Sequence, residues 1–294
     1  MDLIRKANKT YLNNFKPETW FERAIFLSWY CSKGDCKFCY MSIQKPRIKN
    51  PKLARRRIEG ILQEAKICKK QGWKVEFLSG GYESYTIEEL VGITRKVYEV
   101  TRQKQWLNIG VLSKEEMKKF KPYVEGVVGA VESVNERIRK EACPSKPLKE
   151  IEKMLKEADG LGLKKGITII IGLGESEKDI EKLHRFIKKH KINRITFYRL
   201  NPHKGTIYKK GPESKYYAKW IAKTRIKFPK LEIIAGSWVD KLDEIDLLLK
   251  AGANAITKFP AIKLFGTKYA RKIEDKAKQA GRTFKGSLTH KISD

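Results

Sequence analysis

The stretch AIFLSWYCSKGDCKFCY, residues 24–40, is the most informative part of the sequence. It begins with an apolar run that predicts a strand over residues 24–29. Three of the chain's five cysteines follow, spaced C-x4-C-x2-C, namely Cys31, Cys36 and Cys39. Thiolates this close together at the end of a strand indicate an iron–sulfur or a zinc site. We call residues 29–40 the cysteine loop.

The composition is that of a globular protein. Of the 294 residues, 41% are apolar, which is enough for a sizeable buried core. No apolar run reaches the roughly 18 residues of a membrane span, and the first residues lack an apolar signal segment. We therefore expect a cytoplasmic protein without a membrane partner. In that compartment, clustered cysteines favour a metal site over disulfides.

Basic residues outnumber acidic residues by 64 to 34, which gives a formal net charge of +30. Such a charge is compatible with an RNA partner, but the basic residues are spread over nearly every predicted helix and often alternate with glutamates. Surfaces rich in Lys and Glu are also typical of thermophilic proteins. The sequence therefore favours a solvated thermophile surface, with an RNA substrate as the less favoured alternative.

Strands and helices alternate along the chain after a leading helix within residues 1–20. Strands are predicted at 24–29, 75–78, 107–111, 124–131, 165–173, 194–200, 231–235 and 254–257. Continuous apolar strands between helices are typical of a parallel sheet covered on both faces. Eight such units predict an α/β fold, a full or partial (β/α)8 TIM-type barrel over residues 21–258. A doubly wound open sheet is the alternative, because the pattern does not show closure.

The predicted barrel lies in a single domain, residues 1–294, with residues 259–294 as a C-terminal extension. Its cysteine loop supplies three ligands, whereas a structural zinc site needs four. Cys68 and Cys143 stand alone, and none of the four histidines has a spacing to the loop that indicates a ligand. A cubane cluster held by three thiolates would leave one iron open to a small molecule, at the strand end where barrel enzymes keep their active sites.

The cysteine loop resembles that of the radical S-adenosylmethionine (SAM) enzymes, where C-x3-C-x2-C follows the first strand and an aromatic residue such as Phe38 precedes the last cysteine. This chain has one extra residue between Cys31 and Cys36, which we expect to bulge near residues 33–34. The resemblance implies that Cys31, Cys36 and Cys39 hold a [4Fe–4S] cluster that binds SAM. It also implies an external one-electron reductant, ferredoxin or flavodoxin-like, and a 5′-deoxyadenosyl radical that abstracts hydrogen from a small-molecule substrate.

Further segments resemble the biotin synthase-like subgroup of these enzymes. They are the turn GGYE at 80–83, the segment VESVN at 131–135, the glycines of 166–174, and the matches at 201–206 and 251–254. Each alone could be a tight turn or an acidic residue favoured by a helix dipole. Together with the loop they imply SAM contacts at Phe38, Gly80, Gly81, Glu83, Glu132, Gly172 and Tyr198.

One position departs from the subgroup. Related enzymes carry an arginine in the helix after strand four that grips the SAM carboxylate, and Ile151 stands at the corresponding distance from Glu132. The sequence offers four possible substitutes without choosing among them: Arg137, Arg139, Lys149 and Lys153.

Substrate contacts are predicted at strand ends that face the barrel mouth. The candidates are Asn108, Thr168, Arg199, Ser237 and Lys258, for each of which ordinary barrel packing or a salt bridge is the alternative. Arg199 and Lys258 would suit a carboxylate-bearing substrate.

The extra loop residue makes the chain most similar to the HmdB (HcgA) family of radical SAM enzymes. That resemblance implies a part in [Fe]-hydrogenase maturation, in the biosynthesis of its iron–guanylylpyridinol cofactor. The alternatives are an enzyme like methylornithine synthase or the maturase HydE, an RNA-modifying radical SAM enzyme, and an iron–sulfur carrier without turnover.

Overall fold

Eight parallel strands close on themselves in the computed structural model, which describes residues 2–146 and 148–292. Each strand pairs with the next along the chain, and β1 pairs with both β2 and β8. This closure confirms the predicted (β/α)8 barrel and excludes the open sheet. The strands are β1 (Glu18–Phe26), β2 (Lys74–Ser79), β3 (Gln105–Asn108), β4 (Val124–Glu132), β5 (Lys164–Ile171), β6 (Arg194–Arg199), β7 (Glu232–Gly236), β8 (Ala255–Thr257) and the additional β9 (Thr283–Lys285).

Helices surround the barrel. They are α1 (Leu3–Leu12), α2 (Tyr40–Gln44), α3 (Ile58–Lys70), α4 (Ile87–Thr101), α5 (Lys114–Phe120), α6 (Glu136–Ala142), α7 (Leu148–Gly160), α8 (Lys178–His190), α9 (Ser214–Lys227), α10 (Ile245–Lys250) and α11 (Lys268–Gln279), with 3-10 turns at Lys45–Arg47, Pro51–Ala54 and Val239–Glu244. A capping box of Thr86 and Glu89 begins α4, and Ser113 caps α5. None of these helices, in the part of the chain described, is long and apolar enough to cross a membrane.

The first strand begins earlier than predicted. It starts at Glu18 rather than at residue 24, because the interior of the barrel is partly polar. Glu22 is fully buried in this strand and accepts hydrogen bonds from Trp20 Nε1, at 2.6 Å, and from Arg194 on β6. A charged residue that is satisfied inside a barrel interrupts the apolar run by which a buried strand is recognised.

Two further segments lie outside the regular alternation of strands and helices. Helix α3 begins at Ile58, because Pro51 opens a 3-10 turn and Arg55 then bridges to Ser28. The C-terminal extension contributes β9, which pairs with the start of β1. The chain after the barrel is therefore joined to the barrel sheet itself.

Candidate active site

A cavity of about 520 Å³ opens at the carboxyl ends of the barrel strands. This is the end at which barrel enzymes carry their active sites, because the loops that follow the strands meet there. The cavity brings together most of the residues predicted from sequence: Cys31, Cys36, Phe38, Cys39, Gly80, Gly81, Asn108, Glu132, Thr168, Tyr198, Arg199 and Lys258.

The three cysteines of the loop face this cavity as thiols. Cys31 and Cys36 are buried, Cys39 is half-buried, and none of them forms a disulfide. Within residues 2–146 and 148–292, no three His, Cys, Asp or Glu side chains converge on one metal-ion position. The three thiols line one cavity, and a cubane cluster would bind each thiolate through a different iron.

The environment of Cys36 sets its acidity. Burial raises the pKa of the Cys36 thiol, and the nearby charge of Lys146 opposes that rise. A thiol in such surroundings stays protonated until a metal takes the place of the proton.

The extra residue of the cysteine loop is accommodated by a bend. The chain turns at residues 32–33, and Gly34 has a left-handed backbone with φ +49°. A Cβ atom on Gly34 would lie 2.0 Å from Cδ of Lys45, whose ammonium group donates to the carbonyls of Ser32 and Lys33. The bend therefore lies where the bulge was predicted, and it requires a glycine held by a lysine.

The turn after β2 packs directly on the cysteine loop. A Cβ atom on Gly81 would lie 2.0 Å from the Tyr30 carbonyl oxygen and 2.5 Å from Cβ of Cys31, so only glycine permits this approach. Ser84 Oγ donates to the same carbonyl at 2.9 Å. Glu83 is exposed and does not line the cavity, although it was predicted to contact SAM.

A buried ion pair lies beside the thiols. Glu132 ends β4 and accepts hydrogen bonds from Lys146 Nζ at 3.2 Å and Thr168 Oγ1 at 3.3 Å. Burial is the largest single influence and disfavours the charged form of Lys146, but the facing Glu132, together with Cys36, Tyr82 and Cys39, raises the pKa of Lys146. Lys146 is a functional candidate that the sequence analysis missed. Its only signal in the sequence is a basic residue in the loop before the helix that carries Ile151.

The four substitutes predicted for the missing arginine do not reach the cavity. Arg139 is buried and donates to the carbonyls of Val131 and Lys146, so it holds the segment that carries Lys146. Lys153 is exposed and pairs with Glu157 at 3.9 Å, and the remaining two, Arg137 and Lys149, are exposed as well. Among the described residues near Glu132, Lys146 is thus the cation that lines the cavity.

A second polar network lies on the barrel floor. Glu76, fully buried on β2, accepts hydrogen bonds from Tyr198 Oη at 2.5 Å and from Thr257 Oγ1 at 2.5 Å. Burial raises the pKa of the Glu76 carboxyl, and the charge of Lys258 and these hydrogen bonds counteract part of that rise. The sequence analysis missed Glu76, although a lone acidic residue inside an apolar strand is a recognisable signal.

Three predicted residues turn away from the cavity or are already bound. Arg199 reaches the cavity wall, but its guanidinium donates to Glu244 at 2.7 Å and to Ser214 at 3.2 Å. Ser237 donates to the same Glu244 at 2.9 Å and does not line the cavity. Gly172, with φ +113°, forms a turn against Leu200 and also lies outside the lining.

The profile of the Radical SAM superfamily matches residues 29–187, more than half of the chain. The chain therefore belongs to the radical SAM superfamily. Membership implies an enzyme that uses SAM and a [4Fe–4S] cluster, and the three thiols of the cavity fit that cluster.

Two proteins and one crystal structure are among those similar to this chain. An uncharacterized protein of Methanocaldococcus jannaschii is 49% identical over 292 residues, 98% of this chain and 81% of that protein. Biotin synthase of Methanococcus maripaludis is 27% identical over 155 residues, 52% of this chain and 47% of that protein. The crystal structure of methylornithine synthase (PylB) superposes with a TM-score of 0.75 at 21% identity, over 87% of this chain and 77% of that one, which supports the fold.

Proposed function

We propose that the protein is a biotin synthase-like radical SAM enzyme that acts on a small, carboxylate-bearing molecule. The observation that carries the proposal is that Cys31, Cys36 and Cys39 share one cavity with the Glu132–Lys146 pair and the glycine turn after β2. Thiols for a cluster and polar groups for an amino acid moiety thus meet at the mouth of the barrel.

Different residues of the cavity would bind the cluster and SAM. Cys31, Cys36 and Cys39 would hold the cluster, which together with SAM supplies a 5′-deoxyadenosyl radical. Phe38, Gly80, Gly81 and Tyr198 line the cavity and would contact SAM, and Glu132 would bind its amino group. Lys146 would bind the SAM carboxylate in place of the arginine that this chain lacks.

An external one-electron donor, ferredoxin or flavodoxin-like, completes the proposal. Trp29 and Tyr40 border the cysteine loop and are 44% and 48% exposed, respectively. Aromatic side chains that remain exposed beside a redox site offer a contact surface for such a partner.

The narrower assignment is to the biosynthesis of the iron–guanylylpyridinol cofactor of [Fe]-hydrogenase. It is supported by the C-x4-C-x2-C spacing on a biotin synthase-like chain, a spacing that resembles that of the HmdB family. Deletion of the gene in its host should lower the guanylylpyridinol content, measured by mass spectrometry of cell extracts. An unchanged content would contradict this assignment and leave the radical SAM chemistry untouched.

The radical SAM activity is tested at Cys36. Replacing Cys36→Ser should lower the iron content of the reconstituted protein and reduce 5′-deoxyadenosine formation from SAM to background, because one of the three thiolates is lost. Cys68→Ser is the matched control, since Cys68 is buried in α3 away from the cavity, and it should retain both. Unchanged iron content and unchanged SAM cleavage in Cys36→Ser would refute the proposal.

A further inference from the structure

Lys258 occupies an unusual position at the end of β8. It follows Thr257 directly, and its backbone is left-handed with φ +74°, a conformation that lysine rarely adopts. The side chain enters the cavity over Gly236, where a Cβ atom would lie 3.1 Å from Cγ of Lys258. A strained backbone and a glycine opposite together place this ammonium group inside the barrel mouth.

The ammonium group of Lys258 has aromatic neighbours instead of an acidic partner. Its Nζ lies 4.6 Å from the ring centre of Tyr198 and 5.6 Å from that of Phe26. Among the described residues it forms no ion pair, whereas the other three Lys and Arg side chains of the cavity lining are paired: Arg23 with Glu64, Lys146 with Glu132, and Arg199 with Glu244. Among the described residues, Lys258 is therefore the cation of the cavity lining that has no carboxylate in contact with it.

Glu76 is a buried acidic residue of the barrel floor, and both of its carboxyl oxygens are engaged in hydrogen bonds. Its two carboxyl oxygens accept hydrogen bonds from Tyr198 and Thr257, and burial raises its pKa while the nearby charge of Lys258 opposes that rise. A half-buried cation that forms no ion pair with the described residues is stabilised when a ligand brings a negative charge into contact with it.

The walls around Lys258 are flat and apolar. Phe26 stacks on Trp29 with ring centres 5.0 Å apart and an angle of 15°. His203 meets Trp238 edge to face at 5.8 Å, and all four rings line the cavity. Such walls bind a planar or apolar body by burial and stacking.

We propose that Lys258 is the anion-binding residue of a substrate subsite, separate from the Glu132–Lys146 pair, that takes a small planar molecule bearing one carboxylate or phosphate. The inference rests on the proposed function in that it regards the cavity as the active site. Lys258 here binds and orients the substrate and takes part in no bond-breaking step.

The test is equilibrium binding to the reconstituted protein with SAM saturating and no reductant, so that nothing turns over. Benzoate is compared with benzamide, its neutral isostere, by calorimetry or ligand-observed NMR. Benzoate should bind about tenfold more tightly to the wild type, as expected for one charge-assisted contact. Phenyl phosphate is the third probe: tighter binding than benzoate identifies a phosphate substrate, and weaker binding a carboxylate.

Variants assign that preference to the residue. Lys258→Met should reduce the ratio of the two dissociation constants to below about twofold, and Lys258→Arg should preserve it. Lys263→Met, at an exposed lysine nearby, is the matched control and should behave as the wild type. If Lys258→Met does not fold, Lys258→Gln removes the same charge.

Two results would overturn the inference: equal binding of benzoate and benzamide by the wild type, or a preference that survives in Lys258→Met. Because binding needs no SAM cleavage, the two proposals can fail separately. A Lys258-dependent preference in a protein that does not cleave SAM would refute the proposed function alone.

Discussion

Glu83, Glu132 and Lys258 each end a barrel strand or follow one with a left-handed backbone, at φ +57°, +61° and +74°. Each such residue costs roughly 1–3 kcal/mol relative to a relaxed conformation, a cost that glycine would avoid. Glu132 and Lys258 direct their side chains into the cavity. Strain that is kept at the barrel mouth, where a relaxed residue would be more stable, points to side chains that are needed there.

At the same scale, Lys146→Met should weaken SAM binding about tenfold, because a charge-assisted contact to the carboxylate is lost. Decarboxylated SAM separates this effect from a general loss of the site. The wild type should prefer SAM over the decarboxylated compound, and Lys146→Met should reduce that preference about tenfold, as measured by calorimetry.

Two controls accompany this variant. Lys149→Met changes an exposed lysine of the neighbouring helix and should keep the preference. Since Lys146→Met leaves Glu132 buried without its cation, the double variant with Glu132→Gln shows whether that unpaired charge dominates. A preference for SAM that is undiminished in both Lys146 variants would assign the contact to another residue.

At the scale of elements, the helices that follow β4 and β5 are joined by one carboxylate. Asp179, in the first turn of α8, accepts hydrogen bonds from Asn135 Nδ2 at 3.0 Å and from the Ser176 amide at 3.0 Å. Asn135 is also the N-cap of α6. The junction therefore connects the loop after Glu132 with the loop after β5. Within β5, Thr168 donates a hydrogen bond to Glu132.

The junction predicts a dependence of stability on pH. Burial would raise the pKa of Asp179, but hydrogen bonds from Lys182, Ser176 and Asn135 bring it below the ordinary value of 3.8. Because the folded pKa is the lower one, the stabilisation is fully present above about pH 3.8 and is lost as the pH falls through the folded pKa.

Asp179→Asn should therefore lower the free energy of unfolding by about 1–3 kcal/mol at neutral pH. The difference from the wild type, measured by urea unfolding, should shrink as the pH is lowered below 3.8. Asp275→Asn, at an exposed position of α11, is the control and should leave the free energy unchanged. A difference that is constant with pH would contradict the assigned role of the carboxylate.

At the scale of the whole molecule, both ends of the described chain meet at one buried tyrosine. Tyr11 of α1 donates to the Glu18 carbonyl at 2.7 Å, where β1 begins. The guanidinium groups of Arg225 and Arg282 lie 5.6 Å and 3.8 Å from its ring centre. Arg282 also donates to Asn8 at 2.7 Å, so the segment before β9 is tied to the first helix.

Tyr11→Ala should lower the free energy of unfolding by about 3–5 kcal/mol, because it opens a cavity between two buried cations. Tyr11→Phe keeps the ring and removes one hydrogen bond, so it should cost about 1 kcal/mol. Urea unfolding measures both. Similar losses in the two variants would show that the hydroxyl group, not the packing, holds the two ends of the chain together.

The sequence by itself determined the alternation of apolar strands and helices, and it predicted the cluster ligands; closure into a barrel came from the pairing of β1 with β8. Apolar strands between helices require a covered parallel sheet, and C-x4-C-x2-C is a local pattern whose chemistry does not depend on the rest of the chain. Gly80, Gly81, Glu132 and Lys258 were predicted and lie at the cavity, because parallel strands end at one rim.

Only the tertiary structure decided which cations serve the cavity. Lys146, outside any recognisable motif, pairs with Glu132, while Arg139 donates a hydrogen bond to the Lys146 carbonyl. Glu244, from the turn after β7, accepts hydrogen bonds from both Arg199 and Ser237, so neither side chain is free to bind a substrate. Spacing along the chain cannot show such partners, because charges from different strand ends select one another by distance in space. For the same reason, the sequence does not show that the neighbours of the Lys258 ammonium group are aromatic rings and that it lacks an ion-pair partner among the described residues.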